Sequence, residues 1–342
     1  MSKKILITGI AGQDGSLLAK SLLEKGHQVT GTFRRGSLSN LWRLNELGIE
    51  SRINLHEYSI GSNPLELTGL VREKFDDIYH LAGDSFTADS LRHPLRTLNT
   101  NLTGVLEILE AVRNVSPESK IFIASSSEVF GRPSGPSNSV NETSQRQPLN
   151  PYGISHSAIL DLIRMFREMY DLQIFTAILF NHESEYRSPQ FLSRKLSTGI
   201  ARILTNHYEV IELGNLNAKR DWGSAREFIE VFQSMLDFAP DTYVLSTGRE
   251  LSVRDLVSSC FKSVDINPIF QGNGLDETCV DDATGRVLLK VNSKYYRTIE
   301  TPGLVGDSSK IHAATGWNPK DSIESVLERM LEKDLERAKK GQ

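Results

Sequence analysis

Along the first half of the chain, short apolar runs alternate with stretches whose apolar residues recur at helical spacing. Ile5–Thr8 reads as a strand, Ser16–Lys25 as a helix closed by Gly26, and Gln28–Phe33 as a second strand. Strand-sized runs follow at Ile53–Tyr58, Asp77–Leu81, Lys120–Ala124 and Gln173–Leu179, with helical patterns between them at Pro64–Lys74, Asn99–Val115 and Tyr152–Tyr170. This alternation predicts right-handed βαβ units and a parallel sheet. Beyond Asn181 the rhythm loosens, and the turn-rich stretches Gly214–Asp221 and Gly272–Gly285 separate shorter elements. A helix is expected at Ala225–Phe238, a further strand at Tyr243–Ser246 and a closing helix at Ser322–Lys339. In that closing helix Ile323, Val326, Leu327, Met330, Leu331 and Leu335 share one face. The pattern predicts an α/β protein with a doubly wound parallel sheet over residues 1–180, rejoined at about 224–248. A smaller α/β portion takes residues 181–223 and 249–342.

Composition narrows the classes of function. The 342 residues carry a net charge of −4, with 39% hydrophobic residues and two cysteines. Cys260 and Cys279 stand in no CxxC or Cys/His spacing, which argues against a structural zinc site or a disulfide framework; no metal is expected. No apolar run approaches the roughly 20 residues of a membrane span. Ser2-Lys3-Lys4 leads into an apolar stretch too short for a signal peptide. A slightly acidic chain is a poor nucleic-acid binder. The expectation is a cytoplasmic enzyme with no nucleic-acid or membrane partner.

Between the first strand and the first helix the chain reads Gly9-Ile-Ala-Gly12-Gln13-Asp14-Gly15. Glycines there let backbone amides approach a diphosphate at a helix N-terminus, so this turn is a candidate dinucleotide site. An NAD site would usually end the second strand with an acidic residue, which takes the ribose 2′-hydroxyl. Here Phe33 is followed by Arg34 and Arg35. Two guanidinium groups suit a 2′-phosphate and point to NADP.

Ala124-Ser125-Ser126-Ser127-Glu128 follows the Lys120–Ala124 strand, where an open α/β sheet binds ligands. Tyr152 opens a helix announced by Asn150-Pro151. Such a tyrosine can deprotonate a sugar hydroxyl while hydride leaves for a nicotinamide, and Glu128 offers a second acid/base for a different carbon.

With Gly9–Gly15, Ser126 and Tyr152 together, the chain resembles the extended short-chain dehydrogenase/reductases. Within them it is most similar to the GDP-mannose 4,6-dehydratases. The similarity is carried by the glycine turn, Phe180-Asn-His-Glu-Ser184, Leu213-Gly-Asn-Leu-Asn-Ala-Lys-Arg-Asp-Trp-Gly223, Tyr296-Arg-Thr-Ile-Glu300 and Gly316-Trp-Asn-Pro319. These segments span nearly the whole chain, and the Phe-Asn-His-Glu-Ser and Lys-Arg-Asp-Trp-Gly blocks are far more specific than the glycines. The resemblance implies a Rossmann-like fold, bound NADP and a GDP-sugar substrate. It implies redox-neutral loss of water: Tyr152 assists C4 oxidation, Glu128 removes the C5 proton, and Ser126, where the family usually has Thr, bonds the 4-hydroxyl. It implies NADP contacts from His182 and Arg187, and from Ala82, Gly83, Ser59 and Ile60 in the nucleotide loops. Asn181, Lys195, Arg220, Arg297 and Glu300 are implied for the GDP portion, Ser85 beside the sugar, and a homodimer or homotetramer with neighbours meeting near Arg34–Asn40.

The chain departs from that pattern at the reacting centre. The family writes Tyr-x-x-x-Lys, and this chain reads Tyr152-Gly-Ile-Ser-His156. His156 shares the helix face of Tyr152 at i+4 and so occupies the lysine's place, as a neutral ring or an imidazolium. The lysine anchors the nicotinamide ribose and lowers the tyrosine pKa. Bringing a tyrosine from about 10 to near 7 takes about 4 kcal/mol, which a unit charge about 4 Å away supplies at an effective dielectric of about 20. Three outcomes stay open: histidine in the lysine's role, an altered reaction or substrate (a C4 dehydrogenase or epimerase, a GDP-heptose or N-acetylated hexose), or binding without turnover. Smaller departures are Ser59-Ile60 for an Asp-Leu pair near the adenine, Asp84 for a glutamine, and Glu185-Tyr186 within a usually basic stretch.

Overall fold

The apolar runs become strands β1 (Lys4–Thr8), β2 (Gln28–Phe33), β3 (Asn54–Glu57), β4 (Asp77–His80), β5 (Lys120–Ser126) and β6 (Ile174–Leu179). In the computed structural model, which describes residues 1–61, 63–133, 138–205, 209–296 and 303–341, these strands and Thr242–Leu245 form one seven-stranded parallel sheet. From one edge the order is Thr242–Leu245, β6, β5, β4, β1, β2, β3. Ile5 of β1 sits opposite Val29 on one side and Asp77 on the other, so β1 is central. Strand order reverses at β1, which is the doubly wound arrangement whose ligand crevice lies beyond the strand carboxyl ends.

The chain divides into two compact units. The first comprises Met1–Phe180, Ala225–Leu245 and Gly306–Asn318. Its helices are α1 (Gln13–Glu24), α2 (Pro64–Val71), α3 (Gly104–Val115), α4 (Pro151–Tyr170) and Ala225–Met235. Side chains on successive strand positions point to opposite faces. Ile78, Ile121 and Ile123 pack with residues of α2, α3 and α4. Their neighbours Tyr79 and Phe122 turn the other way, and Phe122 stacks on Phe232 of the Ala225–Met235 helix at 4.4 Å between ring centroids. Both faces are covered here, which is why the inner segments Ile78-Tyr79 and Ile121-Phe122-Ile123 are apolar without alternation.

The single helix expected over Asn99–Val115 starts earlier, at Pro94–Leu98, and is interrupted by a π turn at Asn99–Thr103 before α3. Its cause is visible at Asn101, whose buried amide bonds the Asp84 backbone from both sides and reaches Ser155 of α4. Widening one turn re-aims that side chain into the space between the two segments.

The second unit comprises Asn181–Ser224, Ser246–Val305 and Pro319–Gln342. Strands Asn181–Glu183, Lys219–Ser224 and Glu250–Ser252 form a three-stranded sheet. Pro268–Gln271, Thr278–Asp281, Val287–Val291 and Ile211–Leu213 form a four-stranded one. Helices Leu192–Leu204, Val253–Lys262 and Ile323–Lys339 share its core. The closing helix also buries Asp334, which pairs with Arg194 and Arg337 at 2.8 Å each and accepts from Ser197 at 2.6 Å. Cys260 and Cys279 are buried free thiols, each pushed up to about 12 chiefly by burial, so neither is a nucleophile.

Candidate active site

The glycine turn lies where the sheet topology puts a ligand. Gly9 has φ +74°, and a Cβ there would stand 2.8 Å from the backbone of Ala82, just after β4. Only glycine accepts both that conformation and that approach. Thr8 Oγ1 takes the Ala82 N–H at 3.3 Å and meets His80 Nδ1 at 3.0 Å, tying the ends of β1 and β4 together. Gly12 is the N-cap of α1 and has no side chain to cover the helix N-terminus, where the helix dipole favours an anion. Gln13 is buried and donates to Asp14 at 3.0 Å. Arg43, also buried, donates to the carbonyl of Ala11 at 3.1 Å and braces the turn from beneath. Sequence reasoning passed over Arg43, because nothing local marks a basic residue as buried.

Around the turn, Arg34 is exposed at the end of β2 and pairs with Asp84 at 3.6 Å. Arg35 is exposed beside it. Beyond β3, Ser59 is exposed and Ile60 packs over Gly104 of α3. Gly83 and Ser85 are exposed on either side of Asp84.

At the end of β5, Ser126 Oγ accepts the Glu128 N–H at 3.3 Å and caps a short 3-10 turn, Ser127–Val129. Glu128 is held by a residue the sequence reading used only as a helix signal. Asn150 Nδ2 donates to Glu128 Oε2 at 2.8 Å, while Asn150 Oδ1 accepts the Gly153 N–H at 2.8 Å and caps α4. A Cβ on Gly153 would stand 2.5 Å from the Glu128 carbonyl, so glycine lets the first turn of α4 close onto the Glu128 turn. Tyr152, half-buried, sits in that first turn. One asparagine thus fixes the positions of both proton-transfer candidates.

His156 lies against Tyr152, edge to face, with ring centroids 4.5 Å apart. Burial, and secondarily the nearby His80, push the His156 imidazole down to about 4. The open choice between imidazolium and neutral ring is decided by that burial: at neutral pH the ring is uncharged. Burial pushes His80 down to about 4 as well. His156 Nδ1 and Ser125 Oγ are buried polar atoms with no hydrogen-bond partner among the described residues. Orphaned polar groups at the end of β5 and on α4, along the carboxyl edge of the sheet, fit a polar cofactor.

In the second unit, the two most specific sequence blocks become neighbouring parallel strands. Asn181, His182 and Glu183 align with Trp222, Gly223 and Ser224. His182 is buried. Arg187 pairs with Glu183 at 3.2 Å and lies over the Phe191 ring at 3.7 Å. Lys195 donates to the Glu212 carbonyl at 3.1 Å and stands 3.2 Å above the Tyr295 ring. Arg220 donates to the Lys219 carbonyl at 2.6 Å. Arg297 and Glu300 fall outside the described residues.

The family model for GDP-mannose 4,6 dehydratase matches residues 6–330. A GDP-mannose 4,6-dehydratase of Sordaria araneosa is 38% identical over 342 residues, covering 99% of this chain; the chain spans 62% of that protein's length. The GDP-mannose 4,6 dehydratase of Drosophila melanogaster is 35% identical over 355 residues, covering 99% of this chain and 88% of that one. Among solved structures, the dTDP-glucose 4,6-dehydratase of Bacillus anthracis in complex with NAD superposes with a TM-score of 0.81 at 17% identity, over 99% and 98% of the two chains. At that identity the likeness is one of fold. Fold and crevice define a doubly wound α/β protein of the dinucleotide-dependent class. The chain belongs to the GDP-mannose 4,6-dehydratase family.

Both buried histidines carry folded pKa values below their unfolded one. Their contribution to stability is complete above about pH 6.5 and is lost as pH falls toward 4, because the unfolded chain takes up the protons first. Replacing His156 by Gln is expected to flatten the pH dependence of unfolding free energy between pH 6.5 and 4 by on the order of 3 kcal/mol. Urea unfolding at several pH values reads this; an unchanged slope would show that the ring titrates in the fold as it does in the unfolded chain.

Proposed function

We propose that this protein is an NADP-dependent nucleotide-sugar 4,6-dehydratase acting on a GDP-hexose, with GDP-mannose as the first substrate to test. The observation that carries the reading is the Asn150 bridge, which holds Glu128 against the first turn of the helix bearing Tyr152. Two proton-transfer groups of different chemistry at one strand end suit a reaction at two neighbouring carbons, as this one requires.

Bound NADP, held by the residues named below, would supply the hydride acceptor for C4 and the hydride donor for C6. Tyr152 removes the proton of the 4-hydroxyl, which Ser126 orients by hydrogen bonding. The 4-ketone acidifies the C5 proton, and without it a carboxylate is too weak a base to act there. Glu128 removes that proton and delivers it to the departing 6-hydroxyl, which leaves as water; once hydride has returned to C6, C5 takes up a proton, which balances the one Tyr152 removed from the 4-hydroxyl. Arg34 and Arg35 meet the 2′-phosphate, the Gly9–Gly15 turn with Gln13 and Asp14 the diphosphate, and Ser59, Ile60, Ala82 and Gly83 the adenosine side. His182 and Arg187 complete the cofactor contacts, and Ser85 lies beside the sugar. Asn181, Lys195, Arg220, Arg297 and Glu300 take the GDP portion. The first unit serves as the NADP domain and the second as the nucleotide-sugar portion; against the expected division of 181–223 and 249–342, Gly306–Asn318 belongs with the first unit.

Incubation with GDP-mannose and NADP is expected to yield a 4-keto-6-deoxy product with no accumulation of NADPH, read by mass spectrometry and absorbance. In Glu128→Gln the product disappears while C4 oxidation stays measurable. Failure of a panel of GDP-sugars to give any keto product would sink the reading.

The neutral His156 supplies Tyr152 no positive charge, so the rise of activity with pH should lie high. His156→Lys is expected to move that rise down by one to three pH units, since a unit charge about 4 Å away at an effective dielectric of about 20 is worth about 4 kcal/mol. A pH–kcat profile shifted upward or left in place contradicts this. A homodimer or homotetramer meeting near Arg34–Asn40 completes the reading, and a light-scattering mass of one chain would overturn it.

A further inference from the structure

Asp84 stands just after β4, Arg34 just after β2, and β1 with its glycine turn lies between those strands. The Arg34–Asp84 pair, at 3.6 Å, therefore reaches across the end of the strand that carries the dinucleotide turn. On its other side the same carboxylate accepts from Arg96 Nε at 2.8 Å. Arg96 also reaches Asp89 at 3.8 Å, and Asp89 reaches Arg92 at 3.8 Å. The two arginines on Asp84 are about half exposed, at 57% and 50%, whereas the Asp84 side chain is 12% exposed. Its backbone is pinned from both sides by the buried Asn101, with the Asp84 N–H donating at 2.8 Å and the Asp84 carbonyl accepting at 3.2 Å. The carboxylate is the fixed member of the group, and the arginines come to it.

A fixed negative charge on Arg34 works against a 2′-phosphate in two ways. It competes with the phosphate for the Nη1 edge of the Arg34 guanidinium, and its own charge opposes that of the phosphate. Toward a 2′-hydroxyl the same carboxylate is an acceptor, the part an acidic residue at the end of strand two ordinarily plays in an NAD site. We propose that Asp84 is a cofactor-discriminating residue, one that holds down the preference of this site for NADP over NAD. The proposal rests on the reading of the β1–β2–β4 crevice as the dinucleotide site and adds to it which residue sets the choice at the 2′ position.

The test is calorimetric titration of nucleotide-free protein with NADP and with NAD, on the wild type, Asp84→Asn and Asp84→Glu. Asn keeps the shape and the backbone contacts to Asn101 and removes the charge; Glu keeps the charge. Asp84→Asn is expected to bind NADP about tenfold more tightly, the size of one neighbouring charge removed at partial exposure, with NAD unchanged or weaker. Asp84→Glu is expected to keep the wild-type ratio. An Asp84→Asn variant whose two affinities move together, or whose NADP affinity falls, overturns the proposal, as does Asp84→Glu behaving like Asp84→Asn. A wild type that binds neither nucleotide overturns the dinucleotide reading itself and this proposal with it. A wild type that binds NADP beside an Asp84→Asn variant of unchanged ratio overturns the proposal alone.

Discussion

Parallel pairing is the constraint on which the first unit depends. Because every strand of the sheet runs the same way, every carboxyl end arrives at one edge, and the segments that follow those ends become neighbours. The turn after β1, Arg34 after β2, Ala82 to Ser85 after β4 and Ser126 to Glu128 at the end of β5 are distant in the chain and share that edge. Neither a polar cluster nor a charged one is stable inside a parallel sheet covered on both faces. The chemistry is thereby confined to the rim where the strands stop and water begins.

At that rim a few uncharged side chains hold the charged ones in position. Asn150 uses one amide for two purposes, capping α4 and steadying Glu128, so the helix that presents Tyr152 cannot begin elsewhere without releasing the carboxylate. Asn101 joins the Asp84 loop to Ser155, whose hydroxyl in turn donates to the Tyr152 carbonyl at 2.7 Å. The loop after β4 and the helix bearing Tyr152 are therefore linked through one buried amide in a widened helical turn. Such side chains carry no charge to titrate, so they fix geometry without altering the proton inventory of the site.

His156 shows how strongly burial decides chemistry. The position is the one from which a cation would act on Tyr152, and the ring packs directly against it. Removing the imidazole from water makes its protonation unfavourable, and the second buried histidine nearby adds to the effect. The contact is kept and the charge is lost. Packing and electrostatics, which a lysine would join at this position, are separated in this chain.

Much of this was legible in the chain. Periodicity marked the strands and helices of the large sheet to within a residue or two for most elements, because buried parallel strands and amphipathic helices carry local apolar patterns. The glycine turn, Arg34, Ser126, Glu128 and Tyr152 were also visible, since their chemistry is tied to short spacing around strand ends. The sequence alone could not show that Arg43 and Asp334 are buried, that Asn101 widens a helix, that Asp84 holds Arg34, or that His156 is neutral. Each of these depends on what surrounds a side chain in three dimensions, and burial and charge pairing between residues dozens of positions apart leave no local trace. The sequence by itself determined which groups are present and near which strand ends they fall. Only the tertiary structure decided their charge states and partners, because solvation and electrostatics act through space.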